Sequence, residues 1–250
     1  MITIVTLNIN YYVEKHGKWT DRRENILTAL RQAQPEIVAL QAVRQDPAVE
    51  AGVDQATQLA EQLGFGHVFF QPAVTYPDGS AEGSAIIARL PIEDWEALEL
   101  SRIEGGEDPT FRVLLHARFD LPGAALHLFN GHFSWVSEQA TKNLEEAIPF
   151  ITKYSDPGLL VGDFNMPAGT PLLERIEQAG WADAWQQKHA GEDGFTFESN
   201  EPKIRIDYAW LNPALQDCLE DIQVLQTGEE GQGKRFSDHL GLQIRLDLPE

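Results

Sequence analysis

The chain reads as an α/β protein with two packed sheets and helices outside them. Three features carry this. Strand signals recur from one end of the 250 residues to the other, helix signals separate only some of them, and no low-complexity linker divides the sequence. Strict β-α-β alternation, the mark of a single parallel sheet, is absent. A chain of this length buries a substantial core, and residues 1–250 are read as a single domain.

Taken in order, the apolar and β-branched runs predict strands at Ile2–Ile9, Ile37–Val43, His67–Gln71, Ser84–Ala88, Trp95–Leu100, Phe111–Phe119, Ala125–His132, Gly158–Asp163, Arg205–Leu211, Cys218–Leu225 and Gly241–Leu246. A helix follows the first strand: Thr20 or Asp21 can cap it, and Ile26, Leu27 and Leu30 share one face. Asp54–Leu63 forms a second helix, with Gly64 placed to end it. Glu138–Lys153 forms a third, with Leu144, Ile148 and Ile151 at helical spacing and Pro149 as a kink. Thr170–Gln178 is the fourth.

The formal net charge is −20. Such a surface repels phosphate polymers at long range, so a nucleic-acid partner needs a local basic patch or metal ions. No apolar stretch approaches the ~20 residues of a membrane span. The opening MITIVTLNIN lacks the basic region and cleavage site of a signal peptide and reads as a strand. Cys218 stands alone, so no internal disulfide forms. The expectation is a cytoplasmic monomer that does not engage a membrane.

Five segments carry chemistry. In LLVGDFNMPAGTP, residues 159–171, Asp163 and Asn165 follow a buried strand two residues apart, so an extended backbone puts them on one face. A carboxylate beside an amide can hold a water or a metal-bound oxygen from two directions, and an Asx-type turn ahead of Pro167 is the structural alternative. In FSDHLGLQIRL, residues 236–246, Asp238 offers a hard oxygen for Mg²⁺ or Mn²⁺, and His239 can contact a phosphate or a nucleophilic water. In KIRIDYAWLN, residues 203–212, Asp207 is a charge inside an apolar strand and needs a partner. His239 is one candidate and Arg205, on the same strand face, is the other. In HLFNGHFSW, His132 ends an apolar strand, and in VTLNIN, Asn8 interrupts one. Either fits a scaffold role as well as a ligand role.

The order of these residues is more specific than any of them alone. Asn8, the Gln41 strand end, His132, Asp163-x-Asn165, Asp207 and Asp238-His239 resemble the endonuclease/exonuclease/phosphatase superfamily, the DNase I-like metal-dependent phosphoesterases. GDFN, RIDY and SDH are its signature, and PEIVALQ, GSAIIARLPI and NGH are similar to its other landmarks. The resemblance covers nearly the whole chain. It implies a four-layer α/β/β/α sandwich, two packed mixed sheets flanked by helices, with the site at one edge of the sheets. It implies Mg²⁺ or Mn²⁺ and attack of water on a phosphoester. Asn8 and Asp238 then belong to the metal site. Asp163 and Asn165 position the attacking water. His239, oriented by Asp207, contacts the scissile phosphate, and His132 stabilises the transition state or the leaving oxygen.

One position departs from the pattern. The strand of PEIVALQAV normally ends in Gln-Glu in that family, and this Glu is the main direct metal ligand. Here Ala42 follows Gln41 and has no oxygen to offer. The expectation is a chain impaired by loss of this ligand, whether through an engineered replacement or as a natural variant that binds metal differently. The substrate follows from weaker signals. Trp19 and Arg22 in HGKWTDRREN, with Lys234 and Arg235 in GKRF, combine aromatic and basic groups suited to an unpaired nucleic-acid end. A snorkelling helix face plus an ordinary loop is the plainer account. The expectation is a nuclease or other nucleic-acid phosphodiesterase. A small-molecule or lipid phosphoesterase and a phosphate-binding pseudoenzyme are the alternatives.

Overall fold

The computed structural model describes residues 1–225 and 235–248. In chain order the first half runs β1 (Ile2–Asn8), α1 (Trp19–Ala33), β2 (Ile37–Gln45), α2 (Gln55–Leu63), β3 (His67–Thr75), β4 (Ala81–Ala88) and β5 (Asp94–Leu100). There follow β6 (Arg112–Leu121), β7 (Ala124–His132), α3 (Ser137–Ile151), β8 (Gly158–Asp163) and α4 (Glu174–Gln178). The last part runs β9 (Ala182–Asp183), α5 (Ala184–Lys188), β10 (Asp207–Leu211), β11 (Leu219–Leu225) and β12 (Gly241–Leu246). Each expected strand is present, though most bounds move by one to a few residues. The two-residue β9 and the short α5 are too brief to leave a periodic signal.

Two six-stranded mixed sheets result, in the orders β11-β12-β1-β2-β4-β3 and β5-β6-β7-β8-β10-β9. Parallel pairing is confined to β1 with β2 and β7 with β8, each pair joined through a helix. One apolar cluster lies between the sheets. A second packs the first sheet against α1 and α2, and a third packs the second sheet against α3 and α4. The layers are therefore α/β/β/α.

Side chains alternate along a strand, and this sorts them between the cores. In β1, Ile2 and Ile4 enter the inter-sheet core, while Val5 and Leu7 enter the core beneath the helices. In β8, Leu159 and Val161 face the other sheet and Leu160 faces the helices. In β10, Ala209 and Leu211 face inward between the sheets, with Tyr208 and Trp210 on the far side. Continuing each inter-sheet row in steps of two reaches Asn8, Asp163 and Asp207. In β7 the row Leu126, Leu128 continues to Asn130 and His132. The apolar face thus turns polar at one end of both sheets.

Helix ends follow local chemistry. Asp54 caps α2 by accepting from the Thr57 N–H at 2.9 Å, and Gly64 ends it with φ 69°. The first helix starts earlier than Thr20 or Asp21: Lys18 is its N-cap and provides no side-chain cap, and Asp21 lies in the first turn. A carboxylate there complements the helix dipole without capping it.

Candidate active site

Strand pairing brings the motifs together. His132 of β7 is in register with Asp163 of β8, and Asp163 is in register with Asp207 of β10. Gly131 and Gly162 make this approach possible. A Cβ on Gly162 would lie 1.9 Å from the Gly131 carbonyl oxygen, and its φ of 138° is strained for any other residue. From the facing sheet, the Asn8 amide donates to Asp163 Oδ2 at 2.8 Å. The GDFN segment closes on itself: the Asn165 N–H donates to Asp163 Oδ1 at 2.9 Å and its amide donates to the Phe133 carbonyl at 3.0 Å.

Two imidazoles complete the group. His239 Nδ1 lies 3.0 Å from Asp207 Oδ2, and its Nε2 lies 3.6 Å from Asp163 Oδ2. His132 Nε2 lies 3.4 Å from the same Asp163 oxygen. Arg205, the other candidate partner for Asp207, forms a two-pronged ion pair with Asp183 at 2.9 and 2.6 Å instead.

The electrostatics separate the two histidines. Burial lowers the His239 pKa, but the Asp207 and Asp163 carboxylates outweigh it and push the pKa up to about 10. Burial, with Arg112 and His239 nearby, holds His132 well below the usual histidine range. His239 is therefore imidazolium and His132 neutral at pH 7. Asp163 is held above the usual carboxylate range, first by burial and then by Asp207, against the pull of His239.

Asp238 sits at the rim. It accepts from the Asn10 amide at 2.8 Å, and His16 Nε2 is 3.7 Å away. The preceding Ser237 hydroxyl donates to the Asn8 carbonyl at 2.6 Å, tying the SDH segment to β1. Asn10 and His16 carry no sequence signal of their own, because only the chain after β1 brings them to the SDH segment.

Position 42 lies at a break in the β2 ladder. Pairing with β4 shifts register between Leu40 and Val43, and Ala42 has φ 53°. The bulge interrupts the alternation and re-aims this residue. Gln41 continues the inter-sheet row: its amide donates to Thr6 Oγ1 at 2.9 Å and Asn130 Oδ1 at 2.6 Å, bridging the sheets. Gln41 is a buried crosslink beneath the site.

The donor types suit a divalent ion. The buried Asp163, Asp207 and His239 present ligand atoms within 4.8 Å of one another. There a metal competes with the His239 proton. Asp238 offers a partly exposed carboxylate, and the buried Gln41 Oε1, one residue before Ala42, has no hydrogen-bond partner among the described residues. Mg²⁺ needs only one or two carboxylates plus water, so this oxygen-rich edge fits such an ion with one carboxylate fewer at position 42. The Asn8 amide is already spent, its nitrogen on Asp163 and its oxygen on the Asn10 N–H at 2.9 Å.

Of the candidate substrate residues, Trp19 and Arg22 lie inside the protein. Trp19 is buried and donates to Gln58 Oε1 at 2.7 Å. Arg22 is buried too, and its guanidinium donates to the carbonyls of Gly17, Ile9, Phe236 and Tyr11 at 2.6–3.1 Å. Those donors are committed inside the protein and do not form a substrate surface. Arg235 is half-buried, donating to Ser199 Oγ at 3.2 Å and Asn200 Oδ1 at 2.5 Å, while Lys234 lies outside the described residues.

The model of the Endonuclease/Exonuclease/phosphatase family matches residues 5–239. The chain belongs to this family. The match takes in all the motif residues from Asn8 to His239, and membership makes the protein one of an enzyme superfamily of metal-dependent phosphoesterases. No curated protein sequence matches the chain. Among solved structures, an endonuclease/exonuclease/phosphatase from Beutenbergia cavernae DSM 12333 is similar, with TM-score 0.79 and 23% identity over 98% of this chain and 71% of that one. A mannosyl-6-phosphatase of Bacteroides thetaiotaomicron VPI-5482 has TM-score 0.79 and 18% identity over 99% of this chain and 100% of that one. A humanized D. rerio TDP2 has TM-score 0.75 and 19% identity over 99% of both. At these identities the likeness is one of fold. Among the described residues, no helix is long and apolar enough to cross a membrane.

Proposed function

We propose that this family member is a divalent-metal-dependent hydrolase of a small phosphoester, slowed by the lack of a carboxylate at position 42. The observation that carries the reading is the buried Asp163 oxygen shared by four groups: the Asn8 amide at 2.8 Å, the Asn165 amide at 3.3 Å, His132 at 3.4 Å and His239 at 3.6 Å. Such a carboxylate, held up in pKa and pinned in orientation, is suited to take a proton from an attacking water. Asn165 orients that water beside it. The His239 imidazolium, kept charged by Asp207, offsets charge on the phosphoryl oxygens. Neutral His132 donates toward the same centre. A Mg²⁺ or Mn²⁺ ion at Asp238, when bound, supplies further charge neutralisation of the phosphoester.

Two facts favour a small substrate over a nucleic acid. Trp19 and Arg22 are buried, which removes half of the basic-aromatic footprint, and the net charge is −20. A mannosyl-6-phosphatase of the same fold gives a sugar phosphate as a substrate type to try. The test is a panel of sugar phosphates, nucleotides, single-stranded DNA and RNA with Mg²⁺ and with Mn²⁺. Turnover of a small phosphoester above that of the polymers is expected. Preferred cleavage of DNA or RNA overturns the substrate class, and phosphate binding without any turnover makes the chain a binding protein.

A further inference from the structure

We propose that the Tyr11 hydroxyl contacts the substrate, donating a hydrogen bond to a phosphoryl oxygen on the side of the site where Ala42 lacks a carboxylate. The proposal rests on the phosphoester reading above.

Tyr11 is fixed to the strand end that carries Ala42. Its N–H donates to the Ala42 carbonyl at 2.7 Å. Its own carbonyl accepts from Arg22 at 2.6 Å and from Gln55 at 2.8 Å. The backbone is therefore held at three points. It is also held in a costly shape: Asn10 has φ 49° and Tyr11 φ 46°. Two further non-glycine residues with positive φ, Ala42 at 53° and Asn165 at 53°, flank the same site. Asparagine visits this left-handed conformation readily, but it costs Tyr11 and Ala42 about 1–2 kcal/mol each. Strain of this kind persists where surrounding contacts over-determine it, and it gathers at sites that must present a group in one orientation.

The phenol is what this backbone presents. Tyr11 is half-buried, yet its hydroxyl has no hydrogen-bond partner among the described residues. A fully buried tyrosine hydroxyl usually finds one, whereas this one is not fully enclosed and is open to a ligand. Tyr208 illustrates the usual case, donating to the Met166 carbonyl at 2.8 Å. The Tyr11 phenol lies within the field of Glu82, Arg112 and Asp163. Burial raises its pKa most, Glu82 raises it further, Arg112 lowers it, and Asp163 adds to the rise. The hydroxyl therefore keeps its proton at any working pH and serves as a donor. Glu82 does not take that proton's place as a partner: it is held by Arg44 and by the Tyr76 hydroxyl at 3.0 Å. In this proposal the acceptor is an oxygen of a tetrahedral anion held beside Asp163 and His239.

The test compares Tyr11→Phe with the unchanged chain. Inorganic phosphate binding is followed by ³¹P NMR, and the hydroxyl-bearing ring carbon of Tyr11 by ¹³C labelling. Hydrolysis of p-nitrophenyl phosphate and its bis ester is measured in the Ala42→Glu background with Mn²⁺. Phosphate should shift the Tyr11 carbon in the unchanged chain. Tyr11→Phe should weaken phosphate binding and lower kcat/KM about tenfold or more, the loss expected for one hydrogen bond to a charged group. The melting temperature should hold, because the hydroxyl bonds nothing among the described residues. Equal phosphate binding and equal kcat/KM overturn the role of Tyr11 and leave the hydrolase reading standing. A lower melting temperature with an unmoved ¹³C signal also overturns it, by making the hydroxyl structural. Absence of phosphate binding and of turnover in every form overturns the hydrolase reading and this proposal with it.

Discussion

Asp207 and His239, 32 residues apart in the chain, meet through Nδ1 and Oδ2 at 3.0 Å with both side chains buried. The carboxylate fixes the tautomer and keeps the ring charged. Removing its charge should drop the His239 pKa from about 10 toward the ordinary value, since burial lowers it and only Asp163 and Asp238 remain to raise it. The sign of the stability effect follows. A histidine with a raised folded pKa contributes stability that is complete below the unfolded pKa of about 6.5 and is lost as pH rises through about 10. Asp207→Asn should therefore lower the urea midpoint at neutral pH and flatten its fall toward alkaline pH. An NMR titration of His239 and urea melts across pH check both. An unchanged His239 titration would show that Asp207 does not hold its proton.

Position 42 gives two opposite expectations. Ala42→Glu should raise Mn²⁺ affinity and phosphoester turnover together, by orders of magnitude, because it adds a fixed anionic oxygen to the rim where Asp238 stands. Calorimetry with Mn²⁺ and a turnover assay check this. If the Ala42 chain already binds and turns over as well, position 42 is not the missing ligand. Ala42→Gly should instead stabilise the fold by about 1 kcal/mol, since glycine adopts φ 53° without the Cβ penalty, and should leave metal affinity unchanged.

Arg22 separates a structural role from a substrate role. Its guanidinium joins the end of β1, the loop after it and the segment before SDH through four carbonyls. Arg22→Met should cost about 3 kcal/mol or more, because those buried acceptors lose their donors. Denaturant unfolding measures the loss. A residue that only touched substrate would raise KM and leave the midpoint in place.

A second pH response belongs to the far side of the second sheet. His116 Nε2 and His127 Nδ1 are 2.8 Å apart, and Tyr154 lies 3.3 Å from the other His116 nitrogen. Burial, and then His127, lowers the His116 pKa to about 4, and burial lowers that of His127. The folded state therefore prefers neutral rings. Stability is complete above the unfolded pKa of about 6.5 and is lost as pH falls toward about 4. Urea midpoints should drop between about pH 7 and pH 4.5, and His116→Phe should shrink that drop. An equal drop in the variant would place the acid response elsewhere, among the carboxylates.

The strand rows were legible in the sequence because their period of two is local. Leu159, Val161 and Asp163 share a face wherever that strand lies, as do Ala209, Leu211 and Asp207. The order of GDFN, RIDY and SDH, and the missing oxygen at Ala42, are likewise properties of the chain itself. Depth is not. HGKWTDRREN reads the same for an exposed basic helix as for the buried clamp it is, because the carbonyls that bury Arg22 include that of Phe236, 214 residues away. The partner of Asp207 depended on β8 and the SDH segment converging, which freed Arg205 for Asp183. The left-handed backbone at Asn10, Tyr11 and Ala42 is likewise a tertiary decision. No residue there favours that conformation strongly enough to announce it, and packing at the sheet edge imposes it.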